Sequence, residues 1–167
     1  MIRYVNGDVR SQEFNAKHRV IPHCCNDQGL MGSGVAAALV SKWPEVREDY
    51  IKHYQSTGRL RLGSIIAVPI PTDDTCVVNM IAQHKTMVCR NEQGTAVAED
   101  GWPPIRYVAL MECMNRVNDL INKVHKGDAE IHCPKFGADL AGGEWNAIEG
   151  MIHEIWGEHN VTICVYE

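Results

Sequence analysis

The sequence predicts an α/β protein, a three-layer α/β/α sandwich around a central mixed sheet of about six strands. Two observations predict this fold class. Short apolar runs rich in β-branched residues recur along the chain, and segments whose apolar residues have helical spacing lie between them. The predicted strands are residues 2–5, 19–23, 64–68, 76–80, 130–133 and 161–166.

Four segments between these strands have helical patterns. The first spans 35–42 and is broken at Pro44, and the second spans 45–55 and ends near Gly58. The third spans 105–126 after two prolines, and a final helix carries Trp145 and three isoleucines on one side. The apolar stripe predicted to face the core in the third helix is Tyr107, Leu110, Met111, Met114, Val117, Ile121 and Val124.

Composition and charge exclude several classes of protein. The chain has 167 residues and a net charge of −5, without a run of Lys or Arg, which argues against non-specific nucleic-acid binding. No repeat or linker divides it, so we expect one domain over 1–167. Its apolar stretches are much shorter than the roughly 20 residues of a membrane span. The first residues lack the pattern of a signal peptide, so we expect a cytoplasmic protein.

Cysteine and histidine spacing indicates neither disulfides nor a metal site. The seven cysteines are odd in number and form no C-x-x-C pair, and the eight histidines form no H-x-x-x-H pair. We therefore interpret most cysteines as small buried hydrophobes and expect no metal and no cofactor.

Two glycine-rich loops follow predicted strands and precede predicted helices. The first, 23–34, has glycines at 29, 32 and 34, and the second, 134–145, has them at 137, 142 and 143. Glycine lets backbone N–H groups approach a ligand, and a helix N-terminus favours an anion. A plain glycine-rich turn is the alternative for each loop. Neither a Rossmann nor a Walker pattern is complete. Two such loops in one small domain can hold two phosphates, or a phosphate and a sugar, so a diphosphate ligand is the economical hypothesis.

A third segment, 84–102, is long and polar and has no helical period. Such a segment is either a lid or binding element, or a mobile insertion. Its His84, Lys85 and Arg90 would supply positive charge to a terminal phosphate, or they form a solvated basic patch.

Five segments taken together resemble the macro domain family, in order along essentially the whole chain. They are Gly7-Asp8, the 23–34 loop with Asn26, and the segments VNMIAQ at 78–83, PPIRY at 103–107 and LAGGEW at 140–145. Within that family the chain resembles the stand-alone ADP-ribose 1″-phosphate phosphatases. The resemblance implies the macro domain fold and a metal-independent hydrolase that binds ADP-ribose and ADP-ribose 1″-phosphate and removes the phosphate. It leaves two alternatives: a hydrolase that releases ADP-ribose from protein carboxylates or DNA, and a non-catalytic ADP-ribose reader. We expect a monomer that does not bind membranes, although no residue pattern fixes the oligomeric state.

The resemblance also implies roles for individual residues. It implies that Asp8, beside Val9, accepts a hydrogen bond from the adenine amino group. It also implies that Asn26 contacts the distal ribose. The first phosphate loop is Gly32, Ser33, Gly34 and Val35. The second is Gly137, Ala138, Asp139, Leu140 and Ala141. Phe136 is the apolar residue near the distal ribose. His23, Asp139 and Asn26 are the catalytic candidates. His23 leads them, because a histidine at a strand end before a phosphate loop suits acid–base chemistry near neutral pH.

Each of these assignments has a structural alternative. Asp8 and Asn26 can form side-chain turns with their own backbone, and His23 can be hydrogen-bonded beneath the loop. Asp139 departs from the family pattern, which commonly has a small residue there. It would orient water or pair with His23, repel a phosphate, or cap the following turn.

Overall fold

The computed structural model describes residues 1–165, in which eight strands and four α-helices occur. The strands are β1 Ile2–Asn6, β2 His18–Asn26, β3 Ile65–Ile70, β4 Thr75–Gln83, β5 Cys89–Arg90, β6 Ala96–Val97, β7 Ala129–Pro134 and β8 Val161–Val165. The helices are α1 Gly34–Lys42, α2 Glu45–Thr57, α3 Tyr107–Lys123 and α4 Trp145–Trp156. All six predicted strands and all four predicted helices are confirmed, except that Tyr166 lies outside the described residues.

Six strands form one mixed sheet in the order β1-β8-β7-β2-β4-β3. Neighbouring strands run parallel except β3, which is antiparallel to β4. The short β5–β6 hairpin lies apart from this sheet and belongs to the 84–102 segment. The predicted mixed sheet is therefore confirmed.

Helices cover both faces of the sheet, which confirms the three-layer prediction. Alternate residues of β2 illustrate this: Val20 packs in the cluster that contains α3 and α4, and Ile21 packs in the cluster that contains α1 and α2. Because successive strand residues point to opposite faces, two helical layers can bury both.

Part of the stripe predicted for α3 is wrong. The helix is shorter than 105–126, and the side chains of Tyr107, Met111 and Val124 are exposed, whereas Cys113 is fully buried. The buried residues of α3 are Ala109, Leu110, Cys113, Met114, Val117 and Ile121. At 3.6 residues per turn this narrower face already fills the contact with the sheet, so residues flanking it remain in solvent.

The cysteines behave as the sequence predicts. All seven are free, and all except Cys24 and Cys89 are buried. Among residues 1–165, no helix combines the length and apolar character needed to cross a membrane.

The topology brings the two glycine-rich loops together. β2 and β7 are parallel neighbours, so their carboxyl ends lie at one edge of the sheet. The first loop leads from β2 into α1, and the second leads from β7 into α4. Ligands of parallel α/β sheets bind at this edge, which directs attention to the space between the loops.

Candidate functional site

A cavity of about 310 Å³ opens between the two glycine-rich loops. We call it the inner cavity. Every predicted site residue except Asp8 and Val9 lines it: His23, Asn26, Gly32, Ser33, Gly34, Val35, Phe136, Gly137, Ala138, Asp139, Leu140 and Ala141. Residues far apart in the chain therefore meet in one place. Its volume is at the lower end of the range of small-molecule sites.

The Asn26 side chain shapes the start of the first loop. Its Oδ1 accepts hydrogen bonds from the backbone N–H of Gln28 (3.0 Å) and Leu30 (3.3 Å), and its Nδ2 donates to the Leu30 carbonyl (2.6 Å). The Tyr50 hydroxyl of α2 donates to the Asn26 carbonyl and Oδ1, at 2.7 and 2.8 Å. These contacts match the side-chain turn, while Asn26 still forms part of the cavity wall.

We expect Tyr50→Phe to lower the free energy of unfolding by about 1 kcal/mol, because the Asn26 carbonyl and Oδ1 lose a buried hydrogen-bond donor. Tyr54→Phe is the matched control, since the Tyr54 hydroxyl, one turn further along α2, has no hydrogen-bond partner among residues 1–165. Urea unfolding of the three proteins measures the difference. Equal losses in both variants would contradict a role for the Tyr50 hydroxyl.

The first loop presents backbone to the cavity with little side chain in the way. A Cβ added to Gly32 or Gly34 would meet no atom within 4 Å, and Gly34 has φ +59°. Ser33 caps α1 without a side-chain bond, and the first turn of α1 contains no acidic residue. The first N–H groups of a helix have no intrahelical partner, so this helix end can receive an anion.

The second loop is built differently, because packing within the protein requires its glycines. A Cβ on Gly137, at φ +78°, would lie 2.8 Å from Ile148 Cδ1 and 3.3 Å from Ile105 Cδ1. The Gly143 N–H donates to the Gly137 carbonyl (2.9 Å), which closes the loop on itself. The second loop is thus a rigid wall, and the first is the more open one.

Asp139 lies at the mouth of the inner cavity. Its side chain is 80% exposed, and Oδ1 accepts a hydrogen bond from the Arg90 guanidinium (3.1 Å) of the β5–β6 hairpin. It makes no side-chain cap to the turn that follows, and none of its described contacts is with His23. Arg90 offsets the negative charge that would otherwise repel a phosphate.

His23 is 2% exposed and neutral at physiological pH. Its Nε2 lies 2.5 Å from Asn79 Oδ1, and Asn79 Nδ2 donates to the Val46 carbonyl (3.1 Å). Desolvation lowers the pKa of His23 to about 4, despite the Asn79 hydrogen bond, which acts in the opposite direction. A neutral Nε2–H that donates to Asn79 matches the alternative of a histidine hydrogen-bonded beneath the loop.

Asp8 and Val9 lie outside the wall of the inner cavity. Arg10 contacts both Asp8 carboxylate oxygens through its side chain and donates its backbone N–H to Oδ1 (2.8 Å). The Arg10 hydrogen bonds hold the pKa of the Asp8 carboxyl below its usual value. Val9 is buried in the core beside α1. These contacts match a side-chain turn, so adenine binding by Asp8 stays a prediction.

The basic residues of the 84–102 segment divide between two places. Asp27 accepts hydrogen bonds from the Lys85 backbone N–H (2.9 Å) and contacts His84 Nδ1 (2.7 Å), so these residues turn away from the inner cavity. Arg90 reaches Asp139 at the cavity mouth. Ala96 and Val97 are buried, so the hairpin packs against the protein.

Sequence reasoning missed several residues of the cavity wall: Cys24, Cys25, Leu30, Met31, Ala36, Gln83, Pro134 and Lys135. Most of them neighbour predicted positions, and Gln83 ends β4, the strand beside β2. Burial raises the pKa of the Cys24 and Cys25 thiols, so neither supplies a thiolate. Among residues 1–165, no group of three His, Cys, Asp or Glu side chains is placed to hold a metal ion.

Comparisons with known proteins find a macrodomain protein and an ADP-ribose 1″-phosphate phosphatase that are similar to nearly the whole chain. No family model matches the chain. A solved structure of a protein of unknown function from Bacteroides thetaiotaomicron is 35% identical, covers 99% of this chain and 98% of its own, and has a TM-score of 0.82. A macrodomain protein from Streptomyces coelicolor is 27% identical, covers 100% of this chain and 99% of its own, and has a TM-score of 0.74. The ADP-ribose 1″-phosphate phosphatase of Candida glabrata is 29% identical over 99% of this chain and 98% of that protein.

Proposed function

We propose that this chain is a macrodomain protein and a metal-independent hydrolase that removes the phosphate from ADP-ribose 1″-phosphate. One observation carries the proposal: two glycine-rich loops enclose a single cavity, with a carboxylate at its mouth. The similarity to the Candida glabrata phosphatase over nearly its whole length supports the same substrate.

The binding part of the proposal follows from the loop geometry. The diphosphate lies between the N-terminus of α1 and the wall formed by the second loop, where backbone N–H groups rather than side chains receive it. The roles proposed for Asp8 and Asn26 then give the ligand a direction along the edge of the sheet. Adenine lies toward β1 and Asp8, and the distal ribose lies toward β2 and Asn26.

The chemical step needs a positioned water. Its oxygen bonds to phosphorus while the bond between phosphorus and the ribose oxygen breaks. One water proton ends on the ribose hydroxyl, which gives ADP-ribose and inorganic phosphate. Asp139 orients this water through Oδ2, the oxygen that Arg90 does not engage. His23 is too buried to donate a proton at neutral pH, so we assign it a positioning role through Asn79.

A non-catalytic ADP-ribose reader is the second candidate. The observation that favours it is the same burial of His23, which leaves the inner cavity without a histidine that titrates near neutral pH. A reader binds ADP-ribose as tightly as ADP-ribose 1″-phosphate. An enzyme does not require equal affinity for its product and its substrate.

Phosphorus NMR tests the proposal directly. The protein is incubated with ADP-ribose 1″-phosphate in the presence of EDTA, beside Asp139→Asn and His23→Ala. We expect free phosphate to grow while the diphosphate signal stays intact, and Asp139→Asn to slow release by about a hundredfold, within the range of general acid–base catalysis. Glu154→Gln is the control, because Glu154 is an exposed carboxylate on α4, outside both glycine-rich loops and the inner cavity.

Three results would overturn parts of this assignment. Release that continues at the full rate in Asp139→Asn removes that residue from the mechanism. Shifted ligand signals without turnover favour the reader. Release of ADP-ribose from protein carboxylates or DNA, without phosphate release, identifies the other hydrolase. We further expect a cytoplasmic protein that is a monomer and does not bind nucleic acid non-specifically. Sedimentation with and without duplex DNA tests the oligomeric state and the nucleic-acid binding.

A further inference from the structure

A second cavity, of about 460 Å³, lies beyond the first glycine-rich loop. We call it the outer cavity. Its walls include Asn26, Leu30, Arg47, Gln83, Thr86 and Met87. It shares Asn26, Gln83 and the tip of the first loop with the inner cavity, so the two cavities adjoin each other.

The sheet order places the outer cavity at one end of the ligand path. Asn26 ends β2, and Gln83 ends β4, its neighbour on the side away from β1. With adenine toward β1 and the diphosphate at the β7–β2 junction, the outer cavity lies beyond the distal ribose. That is where a substituent on C1″ would project.

Among residues 1–165, Arg47 is the only charged residue on the wall of the outer cavity. Its Nε donates to the Met31 carbonyl (3.2 Å), which places the guanidinium beside the first loop. Its two terminal nitrogens have no hydrogen-bond or ion-pair partner among residues 1–165. A guanidinium whose two terminal nitrogens are free to donate suits a phosphate, since each charge-assisted hydrogen bond is stronger than a neutral one.

The spacing of residues along α2 explains why Arg47 lies beside the first loop. Arg47, Tyr50 and Tyr54 are spaced by three and four residues on α2 and so share one face. Tyr50 holds Asn26, the Tyr54 ring lies under Gly29, and Arg47 holds Met31. One helix face therefore contacts the loop at Asn26, Gly29 and Met31, and Arg47 also reaches the outer cavity.

We propose that Arg47 is a specificity-determining residue that binds the anionic group carried on C1″ of the distal ribose, here a terminal phosphate. This rests on the proposed function for the orientation of ADP-ribose in the inner cavity. Arg47 accounts for selection among ADP-ribose derivatives, because the backbone donors of the two loops serve the diphosphate that all of these derivatives share.

Calorimetry with two ligands tests the proposal. One ligand is ADP-ribose, and the other is the analogue of ADP-ribose 1″-phosphate in which CH₂ replaces the bridging ester oxygen, so that it cannot be hydrolysed. We expect the wild type to bind the phosphonate about tenfold more tightly at low salt, and Arg47→Gln to remove that preference while ADP-ribose affinity changes by less than about threefold. Arg47→Lys should retain part of the preference, because it keeps the charge but not the fork of donors.

Arg61→Gln is the matched control, since Arg61 is an exposed arginine that has no side-chain partner among residues 1–165 and lines neither cavity. It should keep the full preference. A purely structural role for Arg47 would weaken both ligands equally, and that result overturns the proposal, as does a wild type without preference. Failure of the proposed function looks different: the analogue binds in an Arg47-dependent way, but ADP-ribose 1″-phosphate is not hydrolysed.

Discussion

Gly32→Val is expected to weaken ADP-ribose binding by about a hundredfold, close to 3 kcal/mol, without destabilising the protein. Gly32 lines the inner cavity, its φ is not positive, and an added Cβ would meet no protein atom within 4 Å. The folded chain therefore accepts a side chain at this position. The same side chain would keep a phosphate from the loop amides, because it occupies the space through which the ligand reaches the backbone.

Calorimetry measures the affinity, and thermal unfolding measures the stability. Gly32→Ala should give an intermediate loss of affinity. Gly150→Ala is the matched control, because Gly150 also has open space around its Cβ but lies on α4 away from both cavities. Wild-type affinity in Gly32→Val would show that the first loop does not contact the diphosphate. Gly34 is unsuitable for this comparison, since its φ of +59° strains any substitution.

The second large effect is a loss of stability in acid that originates at His23. Desolvation lowers its pKa from 6.5 to about 4 in the folded protein. Between these two pH values the unfolded chain binds a proton that the folded protein does not. The contribution of His23 to stability is therefore complete above pH 6.5 and declines as the pH falls toward 4, by about 3 kcal/mol in total.

Urea unfolding of the wild type and His23→Gln at pH 7.5 and 4.5 measures this loss. Glutamine can still donate an amide hydrogen to Asn79 but cannot titrate. His125, His132 and His159 also have lowered pKa values, because burial disfavours their charged forms. They remain in both proteins, so the difference between the two pH dependences isolates His23. Parallel curves would mean that His23 is protonated in place, which would restore it as a general acid.

The positions of the two loops were predictable from local sequence. A strand, a glycine-rich loop and a helix follow one another twice, and these signals depend only on neighbouring residues. The roles of the polar residues in these loops were not. The residue types of Asn26 and His23 suit both a positioning role and a catalytic role. Only their contacts with Tyr50 and Asn79 distinguish these two roles.

Arg47 illustrates the limit most clearly. In the sequence it is one of several charges on a helix, and nothing nearby separates it from a solvated residue. Its place beside Met31 depends on how α2 crosses under the first loop, which is a contact across 16 residues of chain. Asp139 is similar, because its partner Arg90 is 49 residues away.

By itself, then, the sequence determined the α/β layers, the strand positions and the two loops, because periodicity and glycine placement act over a few residues. Tertiary structure alone decided which charges face the ligand path and which polar groups are buried. Burial and pairing depend on residues distant in the chain, and these set the neutral state of His23, the ion pair of Asp139 and the free donors of Arg47.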